Sequence, residues 1–136
     1  MSARLFKSIL LSFSAGCLGG LICSLAIWLS GATELTAHFK VKIAPALTTQ
    51  WLYPKILWGG LWGQLFLLPF YRRSYFFRSL LYSLAPTFVQ LFIILPFIEN
   101  QGFMGTRLGD FTPLAILSFN LVWGITTGLS LQITER

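Results

Sequence analysis

Three stretches of this sequence carry no charged residue: Ser8 to Thr33, Ser79 to Ile98 and Phe111 to Thr134. Each is at least as long as the ~20 residues that cross ~30 Å of hydrocarbon at ~1.5 Å per residue. In lipid the backbone must satisfy its own polar groups, so such runs fold as helices. A fourth run, Ile56 to Tyr71, reaches crossing length only if Lys55 is drawn in, its ammonium snorkelling to the interface. The expected fold is therefore an all-α membrane protein, a four-transmembrane-helix bundle in one integral domain over 1–136. Its spans are expected near 8–29, 52–70, 79–97 and 112–131, with a short interfacial amphipathic helix between the first two.

Composition agrees with this and excludes other classes. Charged residues make up 10% of the chain, against roughly 25% in a soluble domain. The net charge of +6 is scattered at the ends of apolar runs, which argues against nucleic acid and for membrane lipids as the partner. Cys17 and Cys23 sit on different faces of one helix, so they are expected as small packing residues. The first apolar run exceeds the core of about 7–15 residues that a signal peptide uses, so it is expected to stay as a span.

Orientation follows from the basic residues. With the amino terminus inside, Arg4, Lys7, Arg72, Arg73, Arg78 and Arg136 collect on the cytoplasmic side, and Lys40, Lys42, Lys55 and Arg107 outside. Both termini are then cytoplasmic, in the plasma (inner) membrane. Arg72, Arg73 and Arg78, flanked by Tyr71, Tyr75, Phe76 and Phe77, form an expected lipid anchor. Outside, Leu35, Phe39, Ile43 and Leu47 recur at every fourth residue, the stripe of an interfacial helix; Phe39 to Ile43 also alternates as a strand would. Pro54 and Pro113 suit first helical turns, Thr112 an N-cap, and Pro86 a mid-span kink.

The strongest pattern concerns packing. Ser12, Gly16, Gly20 and Ser24 form a ladder at every fourth residue, and Gly59 with Gly63 and Gly124 with Gly128 repeat that spacing. Small residues so placed let helix backbones approach closely in lipid, within one chain or between copies. The frame Lys55-x-x-Trp58-Gly59-x-x-x-Gly63 also matches Asn120-x-x-Trp123-Gly124-x-x-x-Gly128, as a two-hairpin duplication would, although spans one and three show no match. A competing echo links 64–70 with 90–97.

Polar residues inside spans are the functional candidates. Gln64, Gln90 and Asn120 all count to near the bilayer midplane and are expected to cluster, as structural glue or as a polar site. Lys55 is the one formal charge near a span interior. No carboxylate lies inside a span, which argues against proton-coupled export. His38, Glu34, Glu99 and Asp110 lack ligand spacing, and no phosphate-cradling loop or nucleophile elbow is present. No enzyme, metal or cofactor is therefore expected. The leading expectation is a non-enzymatic scaffold or accessory subunit, associating through glycine faces as a homo-oligomer or within a larger membrane complex. The alternative is a small oligomeric transporter or channel using Gln64, Gln90, Asn120 and Lys55. A wet cavity at the amides would favour transport, and a dry core the scaffold.

Overall fold

The computed structural model describes residues 2–41, 43, 45–67 and 75–134, with the backbone alone at 75 and 76. Among the described residues the chain is helical, with no strand. Three helices are long and apolar enough to cross a membrane: Ala3–Ala32, Phe77–Ile98 and Thr112–Thr134. In chain order the α-helices are α1 (Ala3–Ala32), α2 (Leu35–His38), α3 (Thr49–Gly63), α4 (Tyr75–Val89) and α5 (Thr112–Thr134). The span expected over 52–70 corresponds to α3, which tightens into a 3-10 turn at Gln64–Leu67. Lys42, Pro69, Tyr71, Arg72, Arg73 and Arg136 lie outside the described residues, as does the inner end of that span.

Glycine dictates which helices meet. A Cβ on Gly59 would stand 2.7 Å from the Gly16 carbonyl oxygen and 2.8 Å from the Gly20 Cα. One on Gly63 would stand 2.5 Å from the Ser12 carbonyl oxygen, and one on Gly20 2.8 Å from that of Lys55. The ladder on α1 is thus spent on α3 of the same chain, in an antiparallel pair. Ser24, the last rung, is buried and returns its hydroxyl to the Gly20 carbonyl at 2.7 Å. The second hairpin repeats the design. Gly124 on α5 approaches the Ser79 carbonyl oxygen of α4, at 2.7 Å from a built Cβ, and Gly128 is buried further along α5. The facing rungs on α4 are Ser79, Ser83 and Thr87, all buried and again four apart. The hairpins join where α1 meets α5, with Gly19 against Trp123 and Thr127. There the Trp123 indole donates across to the Gly59 carbonyl at 3.2 Å.

Side chains pointing away from these seams are large and apolar. Leu10, Leu18, Leu57, Leu61, Leu84, Phe88 and Leu129 are all exposed, as a surface facing lipid tails requires.

Four local expectations need correction. The amphipathic helix shrinks to the single turn α2, because Lys40 turns to φ 59° and the Thr36 hydroxyl bonds the Ile43 carbonyl at 2.8 Å. That side-chain bond competes with helix propagation, and Leu35 and Phe39 instead line an apolar cavity of about 300 Å³ with Phe111 and Phe119. Helix α3 starts at Thr49 behind a Thr48 cap (Trp51 N–H to Thr48 Oγ1, 3.2 Å), so Pro54 falls in its second turn. Thr112 is the first residue of α5 rather than its cap, and its hydroxyl is buried without a partner. Past Pro86, α4 continues unbroken to Val89 and then widens into a π-helical segment, Gln90–Ile98. The wider turn accommodates Pro96, whose ring would clash with the preceding turn of a regular α-helix.

Candidate functional site

The widening at Gln90 positions a polar network that joins the third membrane-length helix to α5. It can be followed proton by proton. The Thr87 hydroxyl donates to the Ser83 carbonyl at 2.7 Å, so its oxygen can only accept from the side. It accepts from Asn120 Nδ2 at 3.0 Å. The same amide nitrogen donates to Gln90 Oε1 at 3.1 Å. Both Asn120 protons are then used, which leaves two outward products: the Gln90 amide NH2 and the Asn120 carbonyl oxygen. Neither makes a hydrogen bond among the described residues, and neither is sealed from solvent.

These free groups border a cavity of about 50 Å³ enclosed by all four long helical segments. Lys55, Trp58 and Trp62 of α3 form one wall, Pro86 and Gln90 of the third another, and Asn120 and Trp123 of α5 a third, with Gly20 and Ser24 of α1 behind. A water needs only ~10–15 Å³ of such space and two to four polar partners, so a few fit here. Towards the α1–α3 and α4–α5 connections a larger cavity of about 360 Å³ shares Lys55, Gln90 and Ile116 as walls and adds Pro45, Trp51, Leu95 and Glu99. The Lys55 ammonium lies 5.4 Å from the centre of the Trp51 ring, a cation–π contact that holds it at the junction of the two spaces.

Of the four polar candidates, three therefore share one cleft: Lys55, Gln90 and Asn120. Gln64 is elsewhere. Its Nε2 reaches the Ile9 carbonyl at 3.4 Å, whereas Asn120 lies level with Cys23, whose thiol meets the Phe119 carbonyl at 3.1 Å. Ile9 and Cys23 are separated along α1 by ~20 Å at ~1.5 Å per residue. Counting depth from the edges of apolar runs misjudged Gln64; the three-residue earlier start of α3 accounts for only ~4.5 Å of the difference at ~1.5 Å per residue, and the glycine register of α3 against α1 sets the rest. Gln64 Oε1 is moreover buried with no partner, a state that costs ~1–3 kcal/mol. Gln64→Leu is accordingly expected to leave thermal stability unchanged or raise it, by up to ~1 kcal/mol in a detergent melt.

Arg78, expected with Arg72 and Arg73 as a lipid anchor, is turned into the bundle. It is 8% exposed, and its guanidinium donates to the Phe66 carbonyl while standing 5.8 Å from the centres of both the Phe66 and Tyr82 rings. Two contributors escaped sequence reasoning. Thr87 belongs to a ladder of hydroxyl residues, Ser79, Ser83 and Thr87, whose spacing was visible in the sequence. Glu99 joins the cleft only through the π-helical turn, which no local pattern announced.

No family model, curated protein or solved structure matches this chain. Function is therefore read from the cleft alone. Among the described residues no three of His, Cys, Asp and Glu come together as a metal site would require. What the cleft offers is one cation, one amide donor pair and one amide acceptor in a wall of aromatic rings, with the Glu99 carboxylate on its wider side.

Proposed function

We propose that the chain is a four-span protein of the plasma membrane, with both termini cytoplasmic, that takes a small polar solute into an outward-open cleft between its two helical hairpins. One observation carries this reading: Lys55, Gln90 and Asn120, three in-span polar residues from three segments, line one cavity, and Lys55 and Gln90 also line the larger cavity beside it. The fourth span is supported by length, since α3 and its 3-10 turn extend ~30 Å together at ~1.5 and ~2.0 Å per residue. The two hairpins also repeat one packing scheme, with Lys55 and Asn120 at equivalent points of the repeated frame. Sites between structural repeats are the common arrangement in small-solute carriers. A scaffold built on glycine faces has less support, because Gly16, Gly20, Gly59 and Gly63 are consumed inside the chain.

Thiol accessibility tests this. In a background with Cys17 and Cys23 replaced by alanine, Lys55→Cys and Gln90→Cys are expected to react with a membrane-impermeant maleimide added outside intact cells. Leu57→Cys, on the exposed face of α3, is expected to stay unlabelled. A dry core, or an inward-facing cleft, would leave Lys55→Cys and Gln90→Cys unlabelled as well, and the proposal would fall.

A further inference from the structure

The outer cavity holds one formal charge of each sign. Lys55 and Glu99 both line it, yet among the described residues neither forms an ion pair, within 4 Å, with the other or with any other group. The nearby loop cation Arg107 is committed elsewhere, its guanidinium donating to the Asn100 carbonyl at 3.2 Å. Lys55 is half-buried and Glu99 exposed, so both charges stay accessible from this cavity, and one ligand that carries both signs can meet them together. Resting on the cleft reading above, we infer that the ligand is a small zwitterion: its anionic group meets Lys55 and the Gln90 NH2, and its ammonium group meets Glu99.

The direction of insertion follows from the walls. Lys55 borders both the inner chamber and the outer cavity, whereas Glu99 borders only the outer one. The anionic end therefore goes in first, towards the free Gln90 donors, and the ammonium stays outermost. A simple anion would satisfy Lys55 but face Glu99 across the cavity. A simple cation would meet Lys55. Each mismatch is a repulsion that discriminates as strongly as the matching attraction. The chemistry is common to a free amino-acid-like solute and to a zwitterionic phospholipid headgroup.

Equilibrium binding to the full chain in lipid nanodiscs separates the possibilities. Radiolabelled 5-aminopentanoate is the probe, with pentanoate and pentylamine as competitors of matched length. 5-Aminopentanoate is expected to bind roughly tenfold or more tightly than either competitor. Glu99→Gln is expected to erase its advantage over pentanoate, and Lys55→Met to abolish binding of both. Lys55→Arg, which keeps the charge, is expected to retain binding and so to rule out misfolding as the cause. Discs of phosphatidylethanolamine and of phosphatidylglycerol identify the source. Weaker binding in phosphatidylethanolamine alone supports the headgroup, and equal binding supports a free solute. Pentanoate binding as tightly as the probe, indifferent to Glu99→Gln, overturns the zwitterion and leaves the cleft intact. No binding of any probe overturns the zwitterion as well. The cleft reading then stands or falls on maleimide labelling at Lys55→Cys and Gln90→Cys.

Discussion

Gly59→Val is expected to abolish the monodisperse folded protein. The new Cβ would sit 2.7 Å from the Gly16 carbonyl oxygen and 2.8 Å from the Gly20 Cα. Both are backbone atoms of α1, so neither can rotate aside as a flexible side chain would. Relief requires moving α1 and α3 apart. That separation strips the neighbouring Gly63 contact with Ser12 and pulls the Gly59 carbonyl away from the Trp123 indole. Overpacking of this kind costs ~1–3 kcal/mol in ordinary cores. The upper end, about 3 kcal/mol, is expected here, because close packing rather than hydrophobic force holds helices together in lipid. Size-exclusion chromatography and a thermal melt in mild detergent measure it. Leu61→Val, on the exposed face of the same helix, is expected within ~0.5 kcal/mol of the parent. Unchanged elution and melting for Gly59→Val would mean that α1 and α3 do not meet through their glycines.

The parts of the fold legible in the sequence are those controlled by one large free-energy term. Desolvating a charge dominates everything else in hydrocarbon, so the charge-free windows translate directly into α1, the Phe77–Ile98 helix and α5. Glycine spacing was legible for the same reason: nothing but backbone contact explains four small residues at every fourth position of α1. The equivalent ladder on α4 went unread because serine and threonine also satisfy themselves by bonding back into their own helix, as Ser83 and Thr87 both do. Where several weak terms compete, pattern reading failed. The stripe Leu35, Phe39, Ile43 and Leu47 has helical spacing, but one hydroxyl bond from Thr36 and the turn at Lys40 stop the helix after one turn.

The site was legible as a list of residues but not as a place. Gln90 and Asn120 stood out because amides inside a span need partners, and they found each other. Gln64 stood out equally and found only the Ile9 carbonyl, because depth depends on where α3 starts and, more, on the register its glycines set against α1. Lys55 presented a choice between snorkelling and lining a cleft. The turn of helix that aims it at Trp51 and the cavity is set by Gly59 and Gly63 locking the rotation of α3 against α1. Packing thus sets the geometry of the cleft: the same glycines that close α3 against α1 fix the direction in which Lys55 projects.

Arg78→Ala is expected to cost ~2–3 kcal/mol, the second largest effect. A hydrogen bond from a charged group contributes ~1.5–3 kcal/mol, and this guanidinium also faces two aromatic rings, each contact adding ~0.5–1 kcal/mol. Its acceptor is the buried Phe66 carbonyl, in the 3-10 turn that follows α3. Loss of the cation removes that donor together with both ring contacts. Lysine is a poor substitute, since a point charge cannot donate to the carbonyl and lie flat against Phe66 and Tyr82 at once. Arg78→Lys is accordingly expected to recover less than half of the loss. The decisive measurement is the melting temperature of the parent chain, Arg78→Ala and Arg78→Lys in discs of neutral and of anionic lipid. An internal contact predicts the same destabilisation in both. An arginine that anchors the protein to lipid phosphates predicts a penalty that grows with anionic lipid and is restored by lysine, and that result would return Arg78 to the surface.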